Sequence, residues 1–214
     1  MTLGGVDLWL EEAPPEELDA GRVGLRRWRI ADAELLVRLV ANNMEHLRPW
    51  MPWAEARPTV ESQRAFLSRT QQAWEERTGF GYAVTLPDGE PIGGMRLHTH
   101  EGAGTMEIGY WIAATQVRQG YATEGSARLT EAALALAGVL RVEIRCDEAN
   151  QASAAVPRKL GYKLVGTVDK EPHAAAETGR DLIWAVRRDD WRSSPSLHSP
   201  PGGGGTKSIS RATL

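Results

Sequence analysis

Cysteine and long apolar runs are both scarce in this 214-residue sequence. Cys146 is the only cysteine, so the chain forms no internal disulfide, and we expect a small buried residue on a strand. The longest apolar run, residues 132–140, is too short to cross a bilayer and contains a glycine. The first ten residues lack the basic and apolar regions of a signal peptide. These absences favour a cytoplasmic protein without a membrane partner.

An excess of basic charge is also missing. The formal net charge is −3 and the pI is about 6.0, so the sequence predicts no nucleic-acid partner. Hydrophobic residues make up 42% and charged residues 25%, a composition typical of a globular domain. We predict an N-terminal extension at 1–20 whose acidic segment 11–20 is a surface loop, one domain at 21–191, and a disordered Ser/Pro/Gly-rich tail at 192–214.

The hydrophobic periodicity within 21–191 predicts an α/β domain. Strand-like and helix-like segments follow the order β-α-α-β-β-β-α-β-α-β-β, which indicates a mixed central sheet of about seven strands flanked by about four helices. Asp32 and Thr59 are expected to cap the first two helices, and Gly138 to end the third. The inward positions predicted for the second helix are Val60, Phe66, Leu67 and Trp74.

The first chemically informative segment is a predicted strand, residues 107–112, that leads into a glycine-containing loop and a helix. The first turn of a helix has unpaired N–H groups and a positive dipole end, so this arrangement favours an anion. Gly120 would let the backbone approach a phosphate closely. A glycine before a helix is, however, also the ordinary residue of a plain turn.

A second segment, residues 150–162, follows the next strand. Asn150 can act as a helix N-cap, yet the pattern Asn150, Ser153, Val156, Lys159, Leu160, Gly161, Tyr162 closely resembles the Asn-x-x-Ser-x-x-Val-x-x-Lys-Leu-Gly-Phe signature of GNAT acetyltransferases. The resemblance is to the Rim-type branch, the ribosomal-protein-alanine N-acetyltransferases and their relatives. It extends over residues 22–191 and includes the segments 43–53, 92–94 and 180–181.

The resemblance implies the GNAT fold and an acetyl-CoA-dependent N-acetyltransferase that transfers the acetyl group directly to a primary amine. It implies Glu107 as general base and Ser153 as proton donor, with backbone N–H groups near Trp111 and Ile112 stabilising the oxyanion. A solvated strand glutamate is the other interpretation of Glu107. The implied cofactor residues are Trp111, Ile112, Val117, Arg118, Gln119, Gly120, Tyr121, Ala122, Thr123 and Asn150, and the implied acceptor residues are His46, Trp50, Met51 and Trp53.

The sequence departs from the family pattern at two positions. Val117 stands where the pyrophosphate loop usually has Arg or Gln, so Gln116 or Arg118 is expected to supply a side-chain contact instead. Pro157 stands where many GNAT enzymes have the tyrosine that protonates the leaving thiolate. Proline donates no proton and also removes the N–H that would bond the Ser153 carbonyl.

Several alternatives stay open at this point. A non-catalytic acyl-CoA-binding sensor is the main rival, because the family tyrosine is missing. The acceptor can be a protein N-terminus or a small-molecule amine, the tryptophans of segment 43–53 can simply pack that loop, and a homodimer is possible. His98 and His100 alternate onto one strand face but have no third ligand, so we predict an exposed pair and no metal.

Overall fold

The computed structural model describes residues 10–100, 102 and 104–192. Residues 1–9 of the predicted extension and residues 193–214 of the predicted tail lie outside this range. Within it, no helix is both long and apolar enough to span a bilayer.

One mixed sheet of eight strands organises the described chain, in the spatial order β1-β2-β3-β4-β5-β6-β8-β7. Every neighbouring pair is antiparallel except β5 and β6, which are parallel and therefore joined by a crossover helix. The predicted α/β class is confirmed, with eight strands in place of about seven. The strands are β1 Glu17–Asp19, β2 Gly24–Arg27, β3 Gly79–Thr85, β4 Pro91–Thr99, β5 Thr105–Ile112, β6 Arg141–Asp147, β7 Lys163–Asp169 and β8 Arg180–Arg187.

The additional strand comes from the segment predicted as a surface loop. β1 pairs with β2, and both Leu10 and Leu18 are buried in the main core. The loop prediction for 11–20 is therefore wrong at its C-terminal end. The acidic residues and prolines of this segment favoured a loop, and a strand of three residues is too short to give a periodic signal.

Helices cover both faces of the sheet. Ala83 packs with the α1 and α3 residues Leu36 and Leu67, whereas its neighbours Tyr82 and Val84 pack in the cluster that includes α4 and α5. Adjacent strand residues point to opposite faces, so α1 and α3 lie on one face and α4 and α5 on the other. The helices are α1 Ala33–Ala41, α2 Met44–Leu47, α3 Val60–Glu75, α4 Tyr121–Ala135, α5 Gln151–Lys159 and α6 Arg188–Arg192.

Most helix predictions hold, with differences at the ends. Thr59 caps α3 as predicted, its side chain accepting from the Ser62 N–H at 3.1 Å. Phe66, predicted to point inward, is 42% exposed, because the buried stripe of α3 follows Leu67 and Trp74. The third predicted helix ends at Ala135 rather than at Gly138, and the short helices α2 and α6 were not predicted.

The strands β5 and β6 separate soon after they begin. Their parallel register joins Thr105 to Arg141, Met106 to Val142 and Glu107 to Glu143, and the described residues form no β5–β6 pair beyond Glu107. Residues 108–112 continue to pair with β4. The sheet therefore opens into a wedge at the C-terminal end of β5, where the N-termini of α4 and α5 also lie.

Asn43 ties the segment between α1 and α3 to this end of β5. Its side-chain oxygen accepts a hydrogen bond from the Ala114 N–H at 2.7 Å, and its amide nitrogen donates to the Leu39 carbonyl at 2.8 Å. Asn43 is only 8% exposed, so both bonds are shielded from water. This residue fixes the position of segment 46–53 beside the wedge.

We expect Asn43→Ala to destabilise the fold by about 1–3 kcal/mol, because it leaves the Ala114 N–H without its acceptor. Urea unfolding measures the change, and Asn42→Ala, at the exposed neighbouring position, is the matched control. Equal stability of the two variants would show that the Asn43 contact does not hold the segment in place.

Candidate active site

A cleft of about 380 Å³ lies at the wedge between β5, the start of α4 and α5. The end of β5 contributes one wall, the loop and first turn of α4 a second, and α5 a third, while segment 46–51 closes the mouth. It brings together every site residue predicted from the sequence except Glu107, Gln119 and Trp53. The lining residues are His46, Leu47, Trp50, Met51, Tyr110, Trp111, Ile112, Gln116, Val117, Arg118, Gly120, Tyr121, Ala122, Thr123, Asn150, Ala152, Ser153, Ala155, Val156 and Lys159.

The loop before α4 has the backbone of an anion-binding turn. Arg118 and Gly120 both adopt positive φ angles, +64° and +91°, and Gly120 occupies the N-cap position of α4. A loop of this kind, followed by the free N–H groups of a first helical turn, forms a concave set of donors. A Cβ on Gly120 would lie 3.0 Å from the Arg22 guanidinium, so a side chain is both strained and crowded there.

Val117 packs its side chain against the main hydrophobic cluster. The Val117 side chain therefore fills space beneath the loop. This packing accommodates an aliphatic residue at the position where the resembled pattern usually has Arg or Gln. Gln119 lies outside the cleft lining. Its side chain bonds Gln116 and accepts from the Tyr121 hydroxyl, so it braces the loop from behind.

Asn150 begins α5 as predicted, since its side chain accepts the Ser153 N–H at 3.0 Å. Pro157 lies four residues after Ser153 and removes the usual helical donor to the Ser153 carbonyl. The Tyr110 hydroxyl takes over this role, lying 2.9 Å from that carbonyl and 3.1 Å from the Ser153 Oγ. The helix is thereby bonded to β5 through a side chain.

Tyr110 is the main site residue that the sequence analysis missed. It lines the cleft, and burial raises the pKa of its hydroxyl above the usual value, so the group stays protonated at neutral pH. A signal existed in the sequence, because Pro157 freed a carbonyl that required a partner. Alternation along β5 placed Tyr110 on the face of Ile108 and Ile112, but it did not show that this face meets α5.

Glu107 lies outside the cleft lining, two strand positions from Gly109 on the face that carries Trp111. A Cβ at Gly109 would meet no atom of the described residues within 4 Å, so the strand position between Glu107 and Trp111 is open. The carboxylate lies 3.2 Å from the His100 Nε2 and 3.6 Å from the Arg145 Nε.

Burial raises the pKa of Glu107 to about 7, although the nearby Arg145 acts in the opposite direction. Arg145 is held more closely by Glu143, to which it donates at 2.8 and 2.9 Å. Glu107 is therefore a carboxyl group that gains and loses its proton near neutral pH, as a general base requires.

The prediction of an exposed histidine pair at His98 and His100 is wrong. The two rings stack with centroids 6.5 Å apart, and the His100 ring faces Glu107. Burial lowers the pKa of His98 to about 4, so this ring is neutral at physiological pH. Within residues 10–100, 102 and 104–192, no group of three His, Cys, Asp or Glu residues is arranged to hold a metal ion.

The predicted acceptor residues lie at the cleft mouth. His46, Trp50 and Met51 line it, whereas Trp53 stands outside with 49% of its surface exposed. The Trp53 ring nevertheless contacts Trp111, with centroids 5.9 Å apart and planes tilted by 58°. Trp50, Trp53 and Trp111 thus form an aromatic rim beside the opening.

Cys146 is buried near the cleft floor on β6, as its strand position predicted. Burial raises the pKa of its thiol to about 11, with the Ser153 hydroxyl opposing that rise. The thiol is therefore neutral and unreactive at physiological pH.

We expect Tyr110→Phe to lower the free energy of unfolding by about 1–2 kcal/mol, because the Ser153 carbonyl loses its donor. Pro157→Ala restores a helical N–H to that carbonyl, so the same tyrosine change should cost less in a Pro157→Ala background. A double-mutant cycle from urea unfolding measures the difference. An identical cost in both backgrounds would contradict the proposed link between Pro157 and Tyr110.

Known proteins resemble this chain over most of its length. Residues 22–163 match the acetyltransferase (GNAT) domain family. YdaF of Bacillus subtilis (strain 168), named as a candidate ribosomal N-acetyltransferase, is 29% identical over 133 residues, which cover 61% of this chain and 72% of that protein.

Solved structures give the same result for the fold. RimJ of Mycobacterium smegmatis, in complex with a CoA disulfide, superposes with a TM-score of 0.74 at 25% identity, covering 87% of this chain and 91% of that one. RimL, a ribosomal L7/L12 α-N-protein acetyltransferase in complex with coenzyme A, gives 0.73 at 20% identity, with 80% and 98% covered.

The matched family spans the cleft, its anion-binding loop and the α5 signature, and the relatives include proteins of the Rim type that the sequence resembles. The chain therefore belongs to the GNAT acetyltransferase family and is an acyltransferase.

Proposed function

We propose that this protein uses acetyl-CoA to acetylate a primary amine by direct transfer, and that the amine is the N-terminus of a protein. One observation carries the proposal: a single cleft joins the anion-binding loop of α4, the Tyr110–Ser153 pair and the aromatic rim at segment 46–53. The names of the relatives, which refer to ribosomal proteins, support the choice of a protein acceptor.

The residues present fit coenzyme A. The positive-φ loop at Arg118 and Gly120 and the first-turn N–H groups of α4 would hold the pyrophosphate, while Gly120 leaves the space that a Cβ would fill. Asn150 and Ser153 would flank the pantetheine arm along α5. Bound acetyl-CoA supplies an acetyl group activated as a thioester.

The wedge supplies donors for the oxyanion. Because the described part of β6 pairs with β5 only as far as Glu107, N–H groups of residues 108–112 that face the wedge have no strand partner. We assign oxyanion stabilisation to the N–H groups near Trp111 and Ile112, where the sheet holds them in fixed positions.

Glu107 would accept the proton of the incoming ammonium, directly or through water in the space above Gly109. At the opposite side of the reaction, Ser153 Oγ would pass a proton to the departing sulfur and regain one from water. Tyr110 holds that hydroxyl in place and keeps its own proton, so its role is to position Ser153.

Acetyl-CoA should stabilise the protein by about 2.7 kcal/mol at a hundredfold excess over its Kd. Gly120→Ala should weaken acetyl-CoA binding at least about tenfold, because the new methyl group intrudes on the loop. Gly89→Ala is the matched control, since Gly89 has a similar φ of +87° in an open turn. Isothermal calorimetry gives both affinities, and equal binding by the two variants would sink the loop assignment.

The pH dependence tests Glu107. A base with a pKa near 7 is deprotonated above that pH, so kcat should fall as the pH drops below about 7, approaching tenfold per unit. Glu107→Gln should be slow and should lack this acidic limb, whereas Glu90→Gln, on the exposed β3–β4 turn, should keep the wild-type profile. A wild-type profile in Glu107→Gln would remove Glu107 from the role of base.

An assay of acetyl transfer by the purified wild-type protein distinguishes an enzyme from a non-catalytic acyl-CoA-binding sensor. Peptides with a free α-amine, the same peptides with a blocked N-terminus and an internal lysine, and a polyamine are compared by mass spectrometry. Acetylation of the free α-amine alone supports the proposal. Binding of acetyl-CoA without transfer to any amine would instead favour the acyl-CoA-binding sensor.

A further inference from the structure

Arg22, two residues before β2, reaches across to the loop before α4. Its Nε donates to the Glu124 carboxylate at 2.8 Å, and its Nη2 donates to the Gln119 carbonyl at 2.7 Å. The guanidinium also lies over the Tyr121 ring, 5.3 Å from its centroid. One exposed side chain from a distant part of the sequence thus contacts three residues around Gly120.

The carboxylate that Arg22 meets belongs to the helix that follows the loop. Glu124 lies in the first turn of α4, where its negative charge would repel a phosphate group that the helix dipole attracts. Its second carboxylate oxygen, Oε2, is buried and has no hydrogen-bond partner among the described residues. Val117, at the position where the family usually has Arg or Gln, packs against the main hydrophobic cluster and carries no charge.

We propose that Arg22 is the positioning residue of the pyrophosphate loop: it neutralises Glu124 and fixes the Gln119 carbonyl, so that the loop N–H groups can receive an anion. This inference rests on the proposed function, in which the loop holds the pyrophosphate of coenzyme A. Arg22 is not among the residues that line the cleft, so we assign it a role that acts through Glu124 and Gln119.

The planar fork of arginine matters for this role. Two of its nitrogens donate to the carboxylate and the carbonyl at once, while the guanidinium carbon lies over the Tyr121 ring. Lysine would supply the positive charge but not the two planar donor nitrogens. Arg22→Lys should therefore still neutralise Glu124 but lose the hydrogen bond to the Gln119 carbonyl that positions the loop.

The test is the affinity for free coenzyme A, measured by isothermal calorimetry on the full-length protein. Arg22→Ala should weaken binding about tenfold at low salt, and Glu124→Gln alone should change it little. The double variant Arg22→Ala with Glu124→Gln should bind coenzyme A more tightly than Arg22→Ala alone, because it lacks the unneutralised Glu124 carboxylate. Arg22→Lys should lie between wild type and Arg22→Ala.

Two readouts distinguish loop positioning from general stability. The loss in Arg22→Ala should shrink at high salt, and it should be the same for dephospho-CoA, which keeps the pyrophosphate. Arg29→Ala, which removes an exposed arginine paired only loosely with Glu17, controls for the change in net charge.

Equal affinities in Arg22→Ala and the double variant, or an Arg22→Ala affinity equal to that of Arg29→Ala, would overturn the role of Arg22. If the wild-type protein bound no coenzyme A, both the proposed function and the proposed role of Arg22 would be wrong. Normal wild-type binding with an unaffected Arg22→Ala would refute this inference alone.

Discussion

The separation of β5 from β6 beyond Glu107 is the constraint on which the rest of the site depends. Two parallel strands that stayed paired would close the sheet and leave no cleft. Because they diverge, β5 has a free side, and the Tyr110 hydroxyl can cross the wedge to the Ser153 carbonyl. That bond replaces the helical one that Pro157 removes, and it couples the sheet to α5 where the cleft is formed.

Charge differs between the loop before α4 and the face of β5 that carries Glu107. The loop before α4 presents N–H groups and the positive end of a helix, an environment for phosphate. The face that carries Glu107 is lined by carboxylates and arginines that largely satisfy one another, as the Glu143–Arg145 pair shows. Burial leaves Glu107 as the carboxyl group whose pKa lies near neutrality. This division suits a cofactor that is an anion and an acceptor that arrives as a cation.

The sequence predicted the family, the α/β class, the order of the long elements and most of the cleft lining, because periodicity and two motifs are local signals. It did not predict β1, which is too short to show a period, or the exposure of Phe66, which depends on the face that α3 presents to the sheet. Tyr110 and Arg22 were missed for a different reason. Their roles come from contacts between residues far apart in the chain, and no spacing rule encodes such contacts.

Alternation along β5 has one more consequence. Tyr110 faces the layer of α4 and α5, while Glu107 and Trp111 face the layer of α1 and α3, so one strand serves both halves of the proposed reaction. In the proposed reaction the acetyl donor and the amine would therefore approach from opposite sides of a single backbone and meet at the wedge. Neither would have to leave before the other entered, so this arrangement suits a ternary complex with sequential kinetics, without an acetylated enzyme.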